Sequence, residues 1–315
     1  MSKAARDPDR RRILAWGAGL AASAWIGGSP AGAAEQTGAG ALIMRKIPHS
    51  GEAVPVIGLG TSEVFDIGSD AAERRACAEV IRRLIDGGGS VIDTAPSYGR
   101  AEAVVGDLVA ETGLRGRTFL ATKLEEYDRA TGPGEVRASL QRLRTDKVDL
   151  MQLHNVSDPR QDLALLREWK VQGLCRYIGI TTSFGGDFDA VEAVLKREKP
   201  DFLEVNYSLA DRDAEQRVLP AAAAIGAAVL VDLPLARGRL FRAVRGKPLP
   251  DWAKDIDAAS WAQVFLKYIL GHPAITAVIP GTNNPDHMAD DLGAGRGRVP
   301  DEAQRRKMIA FFQSL

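Results

Sequence analysis

Eight short apolar runs, each separated from the next by a stretch of helical period, constrain this chain more than any other feature. The runs are VPVIGLG (54–60), SVID (90–93), TFLATK (118–123), VDLMQL (148–153), YIGIT (177–181), FLEVN (202–206), AAVLVDL (227–233) and AITAVIP (274–280). Each is rich in Val, Ile and Leu and apolar nearly throughout, as a strand buried on both faces must be. Between them, residues 70–86, 100–112, 134–144, 160–172, 187–198, 212–225, 258–270 and 285–292 read as helices. In the second of these, Val104, Val105 and Leu108 fall on one face. Eight strand–helix units of roughly 30 residues predict an α/β protein closed as a (β/α)8 TIM barrel. The structural alternative, a doubly wound open sheet, ordinarily carries a GxGxxG turn after an early strand. None stands in that context here, and Gly87-Gly88-Gly89, after a helix and before a strand, reads as a helix stop. Residues 44–54 predict a hairpin turning at Pro48-His49-Ser50-Gly51 and plugging the barrel floor, and 301–312 a final amphipathic helix. The longest loop, 234–257, carries Arg237, Arg239, Arg242, Arg245 and Lys247. Such a run either meets phosphates or is merely solvated.

The first residues are of another kind. Residues 1–33 hold five bases (Lys3, Arg6, Arg10, Arg11, Arg12) against Asp7 and Asp9, then an uncharged stretch over 13–26, then a small-x-small end at Ala31-Gly32-Ala33. A charged start, a short apolar run and that ending predict a secretory signal. The run is shorter than the roughly 20 residues of a membrane span, so no stable span is expected after cleavage. Arg10-Arg11-Arg12-Ile13-Leu14 resembles the twin-arginine signal. The expected partner is therefore the twin-arginine export machinery and the expected location the periplasm or beyond, with the cytoplasm as location where the signal is not used. Residues 34–43 read as linker and 44–315 as the barrel. The whole chain balances 41 bases against 41 acids; without residues 1–33 the balance is 36 against 39. That argues against a nucleic-acid partner, which needs a net basic face. Two cysteines, Cys77 and Cys175, exclude a disulfide-dense scaffold and a cysteine-rich zinc site. One falls on the first barrel helix and the other at the fifth strand, nearly opposite around the ring, which predicts two free thiols.

Barrel enzymes place catalytic groups at the carboxyl ends of their strands. Strand two ends in Asp93, followed by Tyr98 five residues on; strand three ends in Lys123; strand four ends at His154. A lone histidine at a strand end is more often structural, but four such groups on consecutive strands form a proton-donor assembly. A tyrosine of unperturbed pKa about 10 is a weak acid near neutrality. A neighbouring ammonium is expected to lower that pKa, and an aspartate to keep the lysine charged and aimed. No strand-end carboxylate pair has glycosidase-like spacing, and neither a nucleophile elbow nor a metal-ligand cluster is present in the sequence. The site can protonate an oxygen but lacks its own electron source, which a nicotinamide hydride donor would supply.

The strings GLGT (58–61), IDTAPSYG (92–99), ATKL (121–124), LHN (153–155) and VIPGT (278–282) resemble the aldo/keto reductase superfamily in order and approximate spacing, over residues 44–312. The resemblance implies a (β/α)8 barrel that binds NADPH, in some members NADH, in extended form. It maps a catalytic tetrad onto Asp93, Tyr98, Lys123 and His154, with Tyr98 the acid in carbonyl reduction and the base in alcohol oxidation. It places Gly60, Thr61 and Asp93 near the nicotinamide. Thr181-Thr182 stand where many members hold the carboxamide with Ser-Asn, Glu204 where a glutamine is usual, and Asp232 where an aromatic often stacks. Leu235 and Gly238 fit the stretch along the pyrophosphate. Near the adenosine end Gly281 and Thr282 lack a following lysine, His287 replaces a frequent arginine and Asp291 a usual asparagine. Fewer cations there weaken the case for a 2′-phosphate; NADPH stays the implied cofactor, with NADH possible.

The implied activity is reduction of a small aldehyde, ketone or sugar. The rival is a nicotinamide-binding regulatory or accessory protein with little turnover, as some relatives are; a metal- or phosphate-dependent barrel lyase is disfavoured. Export poses a supply problem for a nucleotide scarce outside the cytoplasm, which folding around the cofactor before export would answer. Specificity is expected from the mouth loops, including Phe65, the 125–133 segment and the loop after strand seven.

Overall fold

The computed structural model describes residues 40–125, 128–183 and 187–315; the expected signal lies outside them. The chain joins the fold within the stretch read as linker. Leu42 is buried, and the Ile43 N–H donates to the Gly295 carbonyl at 2.8 Å. An antiparallel hairpin follows, β1 (Met44–Lys46) and β2 (Ala53–Pro55). Parallel strands and helices then alternate: β3 (Leu59–Gly60), α1 (Ala71–Asp86), β4 (Val91–Asp93), α2 (Ala101–Glu111), β5 (Phe119–Leu124), α3 (Gly132–Arg142), β6 (Val148–Leu153), α4 (Ala164–Val171). The second half runs β7 (Cys175–Thr182), α5 (Phe188–Glu198), β8 (Phe202–Asn206), α6 (Val218–Ile225), β9 (Ala228–Asp232), α7 (Arg239–Ala243), α8 (Trp261–Leu270), β10 (Ala277–Val278), α9 (Pro285–Ala294) and α10 (Glu302–Gln313).

Each strand from β3 to β10 pairs with its chain neighbour, and parallel bridges Ile57–Val278 and Gly60–Gly281 bring the last strand to the first. The sheet is the expected barrel, and its closure is tight. A Cβ on Gly60 would lie 2.7 Å from the Ile279 carbonyl oxygen, a backbone atom, so only glycine fits.

The run 54–60 does not form the single strand expected of it. Its first half pairs with β1 and its second with β4. Pro55 has no N–H to extend a ladder. Beyond it the Val56 N–H still reaches back to Ile43, while the Gly58 N–H donates to Val278. The loop after β9 is likewise less open than its composition suggests, since it folds into α7 and two 3-10 turns, Ala236–Gly238 and Asp251–Ile256.

The helices form for local reasons. In α1, Asp70 caps the first turn by accepting from the Ala72 and Glu73 N–H groups, and Cys77, Val80, Ile81, Leu84 and Ile85 fill one face against the sheet. α10 starts with a reciprocal capping box between Asp301 and Gln304. It is anchored by the buried Arg305, whose guanidinium donates to the Tyr207 hydroxyl at 2.6 Å and to Glu215.

Inside the ring the period of two stacks side chains in tiers. Phe119, Tyr177 and Phe202 form an aromatic cluster with centroids 5.5–6.0 Å apart, and Ile47 and Val54 from the hairpin join the same apolar core. The expected plug is therefore part of the barrel's inner packing. Cys77 on α1 and Cys175 on β7 are buried and unbridged, and burial raises their thiols to about 11 and about 12.

Candidate active site

The apolar tiers end in a polar one. Two residues beyond Val91, Ala121, Leu150, Phe202 and Leu230, all in the inner core, stand Asp93, Lys123, Gln152, Glu204 and Asp232. Alternation thus carries five polar side chains to the carboxyl end of the barrel. Lys123 is fully buried at their centre. Its Nζ lies 2.5 Å from Asp93 Oδ2, 3.3 Å from Glu204 Oε1 and 3.2 Å from the Thr94 carbonyl. Gln152 Nε2 donates to Glu204 Oε2 at 2.6 Å and to Asp93 Oδ1 at 3.4 Å.

Tyr98 stands over this tier on the turn after β4. The turn is pinned by Asp66, which accepts from the Arg100 N–H at 2.9 Å. Its carboxylate occupies the space a Cβ on Gly99 would need, and Gly99 has a positive φ of 60°. Lys123 Nζ sits 5.2 Å from the Tyr98 ring centroid, and the His154 ring meets Tyr98 edge-on at 5.9 Å. All four expected tetrad residues come together.

Burial opposes the Lys123 charge, yet Asp93 and Glu204 outweigh it and hold the ammonium well above its usual pKa. Burial and the Glu204 charge push Asp93 well above the carboxylate range despite Lys123. Asp232 is raised in the same way, by burial and then Glu204. A cluster with more carboxyl groups than cations keeps protons. The Tyr98 phenol is also raised: burial dominates, Lys123 opposes it, and Asp93 and Glu204 add to it. Lys123 does lower the phenol pKa, as expected of it, but desolvation and the carboxyl groups outweigh one ammonium and the net shift is upward.

A cavity of about 540 Å³ opens above the tier. Gly60, Thr61, Asp93, Tyr98, His154, Glu204, Leu235, Gly238, Gly281 and His287 line it, together with Asp232, Asn155 and Ser183. Thr181, Thr182, Thr282 and Asp291 do not. Thr181 Oγ1 accepts from the Asn155 N–H at 2.8 Å, and Thr282 Oγ1 from the Asn284 N–H at 3.0 Å. Thr182 Oγ1 is buried without a partner. Asp291 is buried on α9, where burial and then Asp290 raise its carboxyl to about 8. Phe65 is fully buried in the outer core and gives no surface to the mouth; its neighbours Glu63 and Val64 line the cavity instead. Of the basic loop, Arg237 reaches the rim and pairs with Glu63 across it at 3.1 Å.

Two functional neighbours escaped the sequence reading. Gln152 was legible as the position two beyond Leu150 in an inward register. Glu125, immediately after β5, accepts from His154 Nδ1 at 2.7 Å and from the Ser97 N–H at 3.1 Å. Burial works against its charge, but these hydrogen bonds prevail and lower it to about 2.

The cavity also fits a nucleotide. Asp232 Oδ1, on a residue that lines it, is a buried polar atom without a partner. The cavity wall includes the non-glycine residues Leu233 and Arg237 at φ 48° and 49°, followed by Gly238 at 75°. Left-handed backbone concentrated on a cavity wall is the kind of strain that binding sites retain, and it turns N–H groups toward an anion.

A family model, Aldo/keto reductase family, matches residues 56–306. Methylglyoxal reductase YeaE of Escherichia coli (strain K12) is 30% identical over 243 residues, covering 74% of this chain and 84% of that protein. Aldo-keto reductase YhdN of Bacillus subtilis (strain 168) is 32% identical over 180 residues, and the match spans 53% of its length. Among solved structures, an aldo-keto reductase from Klebsiella pneumoniae in complex with NADPH superposes with a TM-score of 0.70 at 27% identity, covering 83% of this chain and 92% of that one. With the barrel and the polar tier, these matches show that the chain belongs to the aldo/keto reductase family.

Proposed function

We infer that this protein is an NAD(P)H-dependent oxidoreductase that reduces a small aldehyde or ketone, or oxidises the corresponding alcohol. The observation that carries the reading is the buried Lys123 ammonium, set between Asp93 and the Tyr98 ring beside His154 at the foot of a cavity. When bound, a nicotinamide supplies or accepts the hydride. The chain's own groups handle the oxygen. His154, with its Nδ1–H donated to Glu125, leaves Nε2 for the substrate oxygen; as the imidazolium it donates to a carbonyl, and as the neutral ring it accepts from an alcohol hydroxyl. The Tyr98 hydroxyl gives its proton to that oxygen as negative charge develops there, and Lys123 stabilises the phenolate left behind. In the other direction the phenolate takes the alcohol proton.

NADPH is the cofactor we assign, as in the Klebsiella complex. Gly60, Thr61 and Gly281 offer close-approach backbone, Glu204 and Asp232 the polar atoms for the carboxamide, and Leu235 and Gly238 the loop for the pyrophosphate, while Thr181 and Thr182, the positions the family uses for the carboxamide, stand behind the lining. His287 is the side chain assigned to the adenosine end, with Thr282 and Asp291 as supports behind the wall. Fluorescence titration with NADPH and NADH, followed by a carbonyl screen that reads nucleotide oxidation, tests the assignment. Binding with turnover of small carbonyls supports it; tight binding with no turnover on any carbonyl favours an accessory role.

For residues 1–33 we propose a twin-arginine export signal that delivers the folded enzyme, cofactor aboard, to the periplasm. The paired Arg10-Arg11, the uncharged 13–26 stretch and Ala31-Gly32-Ala33 support it. Fractionation of cells expressing the full chain and its Arg10→Lys/Arg11→Lys variant tests it. Processed, nucleotide-bearing protein in the periplasm from the first but not the second is the expected result. Equal retention of both in the cytoplasm overturns it.

A further inference from the structure

The polar tier carries more acid than its one lysine balances. Lys123 Nζ is shared between Asp93 at 2.5 Å and Glu204 at 3.3 Å. Gln152 ties the same two carboxyl groups together, at 3.4 and 2.6 Å. Asp232, on the neighbouring strand, adds a third, and its Oδ1 is buried without a hydrogen-bond partner. All three carboxyl residues line the cavity that Tyr98 and His154 also line. Behind Asp232 stands a further acid, Asp211, bonded by Asn206 Nδ2 at 2.7 Å. Among the described residues, the other basic groups lining the cavity are His154, engaged by Glu125, Arg237, engaged by Glu63, and His287.

A nicotinamide ring is a cation when oxidised and neutral when reduced. To exchange hydride with a carbonyl protonated by Tyr98, it must lie at the Tyr98 end of the cavity, over this tier. We propose that the acidic floor makes the site bind the oxidised nucleotide more tightly than the reduced one, with Asp232 the residue that sets the preference. The proposal rests on the reductase reading and extends it to the cofactor's bound poise. It does not depend on the charge state of the floor. Ionised carboxylates attract the cation directly. Carboxyl groups that hold protons in the free site release one when the cation arrives, and the reduced ring gains from neither. Asp232 is the discriminating group because Asp93 and Glu204 already share Lys123, whereas Asp232 Oδ1 has no partner. A hydride donor held on this floor is the stronger for it, because the product ring is the form that the floor favours.

The test is a pair of equilibrium titrations on the full-length enzyme, NADP+ by quenching of tryptophan fluorescence and NADPH by its own emission. They are repeated with NAD+ and NADH and in Asp232→Asn, Asp232→Glu and Glu204→Gln. The wild type is expected to bind NADP+ more tightly than NADPH. Asp232→Asn should shrink that ratio on the order of tenfold, the scale of one unit charge a few ångströms away in a protein site. Asp232→Glu should retain it, and Glu204→Gln should reduce it independently, which covers the case where Asp232→Asn fails to fold. Equal affinities in the wild type, or a ratio unmoved in Asp232→Asn and Glu204→Gln alike, overturn the proposal while leaving the reductase reading intact. Failure of all four nucleotides to bind overturns both.

Discussion

The Nδ1 proton of His154 rests on the carboxylate of Glu125 at 2.7 Å, although the two residues stand at the ends of different strands and 29 positions apart. The contact fixes which imidazole nitrogen remains for a substrate oxygen. It makes Glu125 a positioning residue rather than a catalytic one. Glu125→Gln is expected to lower kcat/KM about tenfold and to change the pH profile of kcat, while the nucleotide dissociation constants stay put. The stability profile carries a second signature. A carboxyl held at about 2 against an ordinary 4.5 contributes stability present above pH 4.5 and lost as pH falls toward 2. Urea denaturation across that window should show a shallower acid loss in Glu125→Gln than in the wild type.

Tyr98 is the group whose removal should stop the chemistry. Tyr98→Phe is expected to cut turnover by about 10³-fold, within the range of general acid catalysis, and to leave nucleotide binding in place. Because burial raises the phenol above its ordinary pKa, Tyr98 stays protonated through mildly alkaline solution. The reduction rate should therefore show no loss from this group as pH rises to about 9. Steady-state rates in both directions, measured from pH 6 to 9, check both points.

Gly60 seals the barrel beside the cavity, and the Ile279 carbonyl leaves no room for a methyl group. Gly60→Ala is expected to destabilise the fold by about 1–3 kcal/mol, the usual scale of overpacking. Because Gly60 also lines the cavity, nucleotide affinity should fall with it. Thermal melting with and without nucleotide separates the two effects.

Asp291 should prove a burden on stability. Its carboxyl, at about 8, remains protonated in the folded protein at neutral pH, whereas in the unfolded chain it ionises near 3.8. Folding must therefore take up a proton between those values. The group's contribution is most favourable below 3.8 and worsens as pH rises toward 8. Asp291→Asn is expected to raise the melting temperature at pH 7 and to leave it unchanged at pH 3.5. A stability gain equal at both pH values would contradict the buried, protonated state.

Much of this site could be read in advance. Alternating strand and helix signals located the strand ends, and barrel geometry makes strand ends the places where function collects. Hence Asp93, Tyr98, Lys123 and His154 were legible together. Gln152 was legible in principle, since period-two alternation from Leu150 points it inward. Phe65 was misread because its place in a loop after a strand says nothing of which way the ring turns. The core takes an aromatic wherever it fits. Residues 54–60 were misread because an apolar run does not reveal that Pro55 divides it between two sheets.

The sequence by itself determined the eight-fold alternation, the order of the strands and the identities of the groups that meet at their ends. These follow from local periodicity and from a topology in which chain neighbours are sheet neighbours. Only the tertiary structure decided that Glu125 holds His154, that Glu204 and Asp232 join Asp93 around a single ammonium, and that the Tyr98 phenol is raised rather than lowered. Those outcomes depend on distances of a few ångströms across the barrel and on how fully closure removes water, and charge interactions change sign and size with both.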